Sequence, residues 1–302
     1  MVDGAQDEVE TRAYCAPVFI GDRMQLQLQD PTLRSEDGEQ ALLRNGTLTF
    51  VSYQGATYAL TCRHVIQALQ DLRERERASN LQRHGVDFPE RQRPQLFVPH
   101  GDDHIHVNAR FYAVPADHAG EPAPDAAIAR VADGLPARFG ARAIPFERLD
   151  ADGDEDRRGQ TAVAAGYVEA GRRLRPRNEL IATLVVRFVE AVAALTTIDG
   201  RYLRMIHELD APVDANNLSG MSGGPVFWHD GERWGLAGIV VQGRDLQPKA
   251  GGDSAFAGPT LWVEGERVTR QRLSAWVAAI PGGDAPLEDL SMRLYIPNAL
   301  RS

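Results

Sequence analysis

A serine surrounded by glycines, in the stretch NNLSGMSGGPVFW (residues 216–228), has the clearest chemical potential in this sequence. A serine hydroxyl is a weak nucleophile at neutral pH, so an attacking serine needs a neighbouring base and an acid that orients the base. It also needs backbone N–H groups directed at the developing oxyanion, and glycine permits the tight turn that directs them. The run GMSGGP (220–225) therefore predicts a nucleophile at Ser222, with the N–H groups of Gly220 and Ser222 as oxyanion donors.

A histidine and an aspartate upstream of the serine complete the set that this chemistry requires. His64 stands where the strand-like stretch YALTC ends and the apolar period becomes helical. Asp125 opens the apolar, strand-like stretch DAAIARV, and a carboxylate at a strand edge can reach a histidine nitrogen. The sequence thus predicts His64 as the base and Asp125 as the orienting acid. Asp102 and Asp103, in the loop PHGDDHIHV, are the rival acids.

The serine loop also fits G-x-S-x-G, the nucleophile elbow of α/β-hydrolases. In that fold the acid and the histidine follow the serine, and His229 is the only histidine after Ser222. His229 is too close in sequence to be brought in by a separate loop. The alternation of strands and helices that the elbow requires is also missing, so this class is set aside.

Many short strands separated by turns must position these residues. Stretches such as TLTFVSY (47–53) and WGLAGIVVQG (234–243) are rich in β-formers, and glycine or proline separates most of them. This pattern predicts an all-β protein of the sandwich or barrel class. A short helix is predicted after His64, followed by a charged surface excursion over 73–95. A second helix is predicted over VTRQRLSAWVAAI (268–280).

Composition narrows the class further. The chain has 302 residues and a net charge of −9, which argues against binding to nucleic acid or to an anionic membrane surface. The acidic N-terminus lacks the apolar segment of a secretory signal, and no apolar run reaches the length of a membrane span, so a cytoplasmic location is expected. The two cysteines, Cys15 and Cys62, provide neither a disulfide framework nor a zinc motif.

Two clusters resemble metal sites but lack the necessary ligands. The run DADGDED (150–156) places acids at the first three positions of a calcium loop, but Glu155 stands where the turn needs glycine and Thr161 where a glutamate is needed. The three histidines of PHGDDHIHV have no matching acid or cysteine spacing. Both are interpreted as solvated loops, and no metal or cofactor is predicted.

The motifs in this order resemble those of the chymotrypsin/trypsin-like serine peptidases, closest to their bacterial members. LTCRHV resembles the histidine motif of that family, DAAIARV its aspartate motif and GMSGGPVF its serine motif, while GIVVQG (238–243) is similar to the strand beside the substrate cleft. The resemblance implies two packed antiparallel β-barrels with a short C-terminal helix. It divides the chain into an N-terminal extension (1–40), a first barrel with the histidine and aspartate (41–145), and a second barrel with the serine and the helix (146–302).

The same resemblance implies a serine endopeptidase acting on protein or peptide substrates. Its triad would be His64, Asp125 and Ser222, and its substrate-binding residues would be Asn216, Asn217, Val240, Val241, Gln242 and Gly243. An amide at Asn216, where trypsin-like members keep an aspartate, favours uncharged P1 side chains. Met221 replaces the acidic residue that pairs with a freed N-terminus in zymogen-activated members, so that form of control is not expected. A non-catalytic or partner-activated binding module, with a regulatory protein partner, is the alternative.

Overall fold

The computed structural model describes residues 10–21, 44–87, 95–100, 103–107, 109–118, 120–151, 157–176, 182–208, 218–246 and 260–280. Within these ranges the chain is mostly β, as the sequence predicts, and it forms two sheets. A 3₁₀ helix, Thr11–Tyr14, leads into the first strand.

The first sheet has eight strands. They are β1 (Cys15–Gly21), β2 (Arg44–Tyr53), β3 (Ala56–Thr61), β4 (Gln95–His100), β5 (Asp103–His106), β6 (Tyr112–Ala113), β7 (Ala127–Val131) and β8 (Ile144–Pro145). Their order is β5-β4-β1-β2-β3-β7-β6, with β8 pairing in parallel with β2. Within the described residues β5 and β6 are edges, so this sheet is a half-barrel, and with the six-stranded sheet described below it bears out the predicted two-barrel fold.

Two parts of the first sheet differ from the sequence-based interpretation. β1 lies within the stretch 1–40 that was predicted to be an extension, yet it pairs with β2 along its length and belongs to the sheet. The histidine-containing stretch predicted to be a loop forms the hairpin of β4 and β5. The partners of β1, which are β2 and β4, come from long-range pairing, whereas β4 and β5 pair locally as neighbouring strands.

The second sheet is a closed barrel of six strands. They are β9 (Thr161–Pro176), β10 (Ala182–Ile198), β11 (Tyr202–Glu208), β12 (Pro225–His229), β13 (Trp234–Leu246) and β14 (Thr260–Arg267). The ring runs β10-β11-β14-β13-β12-β9, and β9 closes it by pairing with β10 as well as β12. Alternate alanines of β9 and β10 face the core, because the narrow interior of a small barrel leaves little room for larger side chains.

Three α-helices accompany the described strands: α1 (Arg63–His84), α2 (Leu135–Arg138) and α3 (Arg270–Ala278). The prediction that the helix after His64 gives way to a charged excursion was wrong, because α1 runs for 22 residues and ends at Gly85, which adopts the left-handed conformation. Its stretch RERERASNLQRH contains good helix formers and neither glycine nor proline, and its charges lie on the solvent side. None of the helices described is long and apolar enough to cross a membrane.

The two sheets share a hydrophobic core, which fixes one against the other. Tyr58 and Leu60 of the first sheet pack with Phe227 and Leu236 of the second, and Trp276 of α3 fills the same cluster. Thr269 caps the N-terminus of this helix by accepting a hydrogen bond from the Arg272 N–H. Since this core joins both sheets, the end of β3 and the turn before β12 are held near each other.

Candidate active site

Strand register brings His64 and Asp125 together. β3 and β7 are antiparallel, and Thr61 at the end of β3 lies opposite Ala127 at the start of β7. His64, in the first turn of α1, therefore lies next to Asp125, two residues before β7. The Nδ1 atom of His64 lies 2.6 Å from Oδ2 of Asp125, and the backbone N–H of His64 donates to Oδ1 at 3.0 Å.

The Asp125 carboxylate is stabilised in its charged form. Burial acts to raise its pKa, but the hydrogen bond and charge of His64, the His64 backbone N–H and the Arg63 guanidinium together hold the pKa below its ordinary value. The rival acid Asp103 is not placed here, because it is in β5, four positions from β3 in the sheet order. Asp102 lies outside the described residues.

The serine lies in a tight turn between residue 218 and β12. The Leu218 carbonyl accepts the Met221 N–H at 3.1 Å, and the Met221 carbonyl accepts the Gly224 N–H at 2.7 Å. Gly220 and Gly223 have φ angles of +97° and +89°, a region that favours glycine. A Cβ on Gly223 would lie 2.3 Å from the Thr47 carbonyl oxygen, so the turn also needs glycine for space.

Strand β2 of the first sheet holds this turn in place. The Thr47 N–H donates to the Ser222 carbonyl at 2.9 Å, and the Thr47 hydroxyl donates to the Gly220 carbonyl at 3.0 Å. The Thr49 hydroxyl donates to the Gly223 carbonyl at 2.7 Å. Both threonines are fully buried. Neither threonine was predicted from the sequence as part of the site. Two threonines on one face of a strand, with apolar residues on the other face, are nevertheless a recognisable signal of buried polar contacts.

The hydroxyl and backbone of Ser222 have distinct surroundings. Its Oγ donates to the Val241 carbonyl at 3.1 Å, and no hydrogen bond joins it to His64, although both residues are described. Within the described part of the chain, neither Gly220 nor Ser222 donates its backbone N–H to a carbonyl. Both N–H groups of this turn thus have no carbonyl partner among the described residues.

Strand β13 forms the border of the site. The Val240 side chain packs in the core of the second barrel, and its backbone bonds to Gly223 and Gly224 at 2.7 Å each. Val241 and Gln242 are half-buried, and the Gln242 amide donates to Glu264 at 2.7 Å. Gly243 lies opposite Val263 of β14. The predicted floor residues, Asn216 and Asn217, lie outside the described residues.

A buried thiol lies beneath the histidine. The Cys62 Sγ donates to the Val240 carbonyl at 3.0 Å, and its sulfur, a His64 nitrogen and an Asp125 oxygen all lie within 4.8 Å of one another. Burial, reinforced by the Asp125 charge, raises the pKa of Cys62 well above its ordinary value. A metal would need the thiolate and would have to break the His64–Asp125 hydrogen bond, so these three residues are not a preformed metal site. Cys62 and Cys15 are both free thiols.

Other residues singled out by the sequence lie apart from this site. Met221 is fully buried in the apolar core of the second barrel, so it gives a freed N-terminus no charge to pair with. Asp150, predicted to lie in a solvated loop, is instead buried and paired with Arg157 at 2.9 Å. The calcium-loop positions that follow it, 152–156, lie outside the described residues.

The chain has similarities to known structures and to one sequence family. The chain is similar in structure to a thermostable serine protease, AL20, from an extremophilic microorganism (14% identity, 89% of this chain and 98% of that chain covered, TM-score 0.43). It is also similar to a Glu endopeptidase (15% identity, 88% and 92% covered, TM-score 0.41). No curated protein matches the sequence. The sequence profile of a family described as "Trypsin-like peptidase domain" matches residues 46–239, which include His64, Asp125 and Ser222. The chain belongs to the family of trypsin-like peptidase domains.

Proposed function

We propose that this protein is a serine endopeptidase that hydrolyses protein or peptide bonds through His64, Asp125 and Ser222. The observation that carries the proposal is the 2.6 Å contact between His64 Nδ1 and the Asp125 carboxylate, beside a serine turn in which two N–H groups have no carbonyl acceptor among the described residues. The trypsin-like peptidase family of the chain supports the same chemistry.

His64 makes the proton transfers, and Asp125 orients and stabilises its imidazole. With Nδ1 facing Asp125, Nε2 of His64 takes the proton of Ser222 Oγ as the oxygen attacks the peptide carbonyl. The charged imidazole is stabilised by the Asp125 carboxylate and then gives the proton to the leaving amine. Water repeats the sequence on the acyl-enzyme and releases the second product.

Two local changes accompany attack. Ser222 Oγ leaves the Val241 carbonyl for His64, which requires a rotation between staggered positions about one side-chain bond. The oxyanion then accepts hydrogen bonds from the N–H groups of Gly220 and Ser222, and each such donor typically lowers the barrier by about 3 to 4 kcal/mol.

The substrate would lie along β13 at Val241, Gln242 and Gly243. Asn216 and Asn217 form the proposed floor of the S1 pocket. No carboxylate stands among these residues, and a buried charge without a partner is costly, so uncharged P1 side chains are expected to be preferred.

Labelling by a fluorophosphonate probe, together with cleavage of a peptide library, tests this assignment. Wild-type protein should be labelled and should cleave, while Ser222→Ala and His64→Ala should each lose several orders of magnitude in kcat and the double variant little more. Asp125→Asn should lose about 10⁴-fold, the typical effect of removing the orienting carboxylate. Ser274→Ala is the matched control, since Ser274 is an exposed residue of α3. Proteolysis that persists in Ser222→Ala would place the chemistry elsewhere.

A partner-activated or non-catalytic binding module is the second candidate. The observation that favours it is the hydrogen bond from Ser222 Oγ to the Val241 carbonyl, which turns the hydroxyl away from His64. Purified protein would then resist the probe. A partner-activated enzyme would become labelled when a peptide or protein ligand is added, and a binding module would bind the same ligand and stay unlabelled.

A further inference from the structure

We infer that Glu266 and Arg201, both from the second barrel, are positioning residues for Asp125. They form an ion pair in the second barrel that holds the proposed catalytic acid, which belongs to the first sheet. The inference rests on the proposed function, because it gives Asp125 the task of orienting His64.

Glu266 contacts the backbone of Asp125 directly. Its Oε1 accepts the Asp125 N–H at 3.0 Å, while the Asp125 side chain bonds to His64. Glu266 lies on β14 and is 1% exposed. A buried carboxylate is retained only where charges or donors compensate it, so its contacts here are strong and geometrically defined.

Arg201 extends this contact to the residues just before Asp125. Its guanidinium lies 2.9 Å from Glu266 Oε1 and also donates to the carbonyls of Pro122 and Ala123. The planar guanidinium presents several donors in a fixed arrangement, so one side chain can hold three groups at once. The ion pair therefore bonds to three positions within four residues of the acid segment.

Arg272 of α3 anchors the beginning of the same segment. Its Nη2 lies 3.0 Å from the Asp117 carboxylate and 3.5 Å from Glu266 Oε2. Glu266 therefore contacts both ends of the segment from Asp117 to Asp125, one end through Arg272 and the other directly.

The segment needs external support because its own backbone supplies little. Residues 114–118 and 120–126, between β6 and β7, have no regular secondary structure, and Pro122 and Pro124 have no N–H to donate. Among its described residues, the backbone bonds within the segment are those of Val114 to Ala126 and of Glu121 to His118. Among the described residues, the Asp125 N–H and the carbonyls of Pro122 and Ala123 are bonded by Glu266 and Arg201 alone.

A purely structural ion pair would have different consequences, and the chain offers a matched comparison. Asp150 and Arg157 lie 2.9 Å apart and are 2% and 14% exposed, against 1% and 16% for Glu266 and Arg201. Asp150 makes no described contact with His64, Asp125 or Ser222. Asp150→Asn therefore removes a buried pair of equal length and burial without touching the proposed triad.

The experiment compares Glu266→Gln with Asp150→Asn in thermal stability, in the rate of fluorophosphonate labelling across pH, and in the proton NMR signal of His64 Nδ1–H. Both variants should lose stability. Glu266→Gln alone should slow labelling by about 10- to 100-fold, the effect of a small misplacement of a catalytic group. It should also move the acidic limb of the profile to lower pH, because the protonated imidazole loses part of its carboxylate partner. Asp125, Arg63 and Cys62 are the charged and titratable groups around that imidazole.

A double variant gives the sharpest test. Glu266→Gln should slow Asp125→Asn little further, since both changes act through the same carboxylate. A full additional loss, or a wild-type rate and pH profile in Glu266→Gln, would overturn the inference. Arg201→Lys serves if Glu266→Gln fails to fold, because it keeps the charge, loses the contacts to Pro122 and Ala123, and should give an intermediate loss.

The NMR signal separates this inference from the proposed function. If wild-type protein is not labelled, the proposed function fails, but the His64–Asp125 hydrogen bond can still be followed. The Nδ1–H signal should be retained in Asp150→Asn and shifted or lost in Glu266→Gln. An unchanged signal in Glu266→Gln would refute the positioning role, whatever the activity of the wild type.

Discussion

Replacing Thr47 by valine tests whether the first sheet holds the serine turn. The two side chains have nearly the same shape, but valine lacks the hydroxyl that donates to the Gly220 carbonyl at 3.0 Å and accepts the Tyr167 N–H at 3.2 Å. The backbone bond from Thr47 to the Ser222 carbonyl is retained. The substitution thus removes one hydroxyl and leaves the strand otherwise intact.

The expected cost follows from the two groups left without a partner. Thr47 is fully buried, so water does not replace the hydroxyl. Each unsatisfied buried donor or acceptor costs about 1 to 3 kcal/mol, and two are created here. Burial of the added methyl group offsets part of this cost, so the free energy of unfolding should fall by about 2 to 4 kcal/mol. For a chain of this size that corresponds to a fall in Tm of roughly 5 to 10 °C.

The same change should reduce activity, because the Gly220 carbonyl belongs to the turn that presents the oxyanion donors. A displaced donor loses part of its contribution, so kcat should fall by about 10- to 100-fold, less than the full loss of one donor. Denaturant unfolding and peptide cleavage measure the two effects separately.

Thr196→Val is the matched control. Thr196 is exposed on β10, where its hydroxyl donates to the Arg204 carbonyl, and its loss should change stability by no more than about 0.5 kcal/mol. Equal stability and kcat in Thr47→Val and wild type would refute the argument that β2 holds the turn. A large loss of stability with unchanged kcat would show that the hydroxyl supports the fold but not the oxyanion donors.

Three further predictions follow from the same contacts. Gly223→Ala should destabilise the protein by more than about 3 kcal/mol because its Cβ would meet backbone, whereas Gly231→Ala, at a similar φ with open space around it, should cost only about 1 to 2 kcal/mol; equal costs in unfolding experiments would contradict this. Cys15 and Cys62 should resist iodoacetamide in the native protein and react after unfolding, since burial raises the pKa of Cys15 to about 12 and that of Cys62 well above its ordinary value; rapid native alkylation would show that the thiols are accessible. Asp125 has a folded pKa below its ordinary 3.8, so its stabilising contribution is present above that pH and is lost as the pH falls through the lower folded value. The stability difference between wild type and Asp125→Asn should therefore shrink below pH 3.8, and a difference that grows there would reverse the assigned shift.

Local patterns in the sequence were sufficient for several features. Alternating apolar residues predicted the strands, and the stripe that includes Leu273 and Trp276 predicted α3, because each depends on the periodicity of neighbouring residues. The glycines around Ser222 predicted a tight turn, which the positive φ angles of Gly220 and Gly223 bear out. The family was likewise recognisable from short motifs in a fixed order.

The length of α1 was predicted wrongly from the sequence because of its charged residues. The stretch RERERASNLQRH was interpreted as a loop because it is charged, but its residues favour a helix and only one narrow face needs to be apolar. The order β4-β1-β2 was also not predictable, since strand pairing over long separations leaves no local periodicity.

The contacts that support the proposed site were decided by the tertiary structure alone. Thr47 and Gly220 are 173 residues apart in the chain, and Asp125 and Glu266 are 141 apart. A buried hydroxyl or carboxylate gains its role from the groups that the folded sheets bring to it, and the residue type by itself does not say which groups those are. The sequence predicted which residues carry the proposed chemistry and in what order, because that information is local. The packing of one sheet against the other decided what holds them in position, because those hydrogen bonds and ion pairs exist only across the boundary between the sheets.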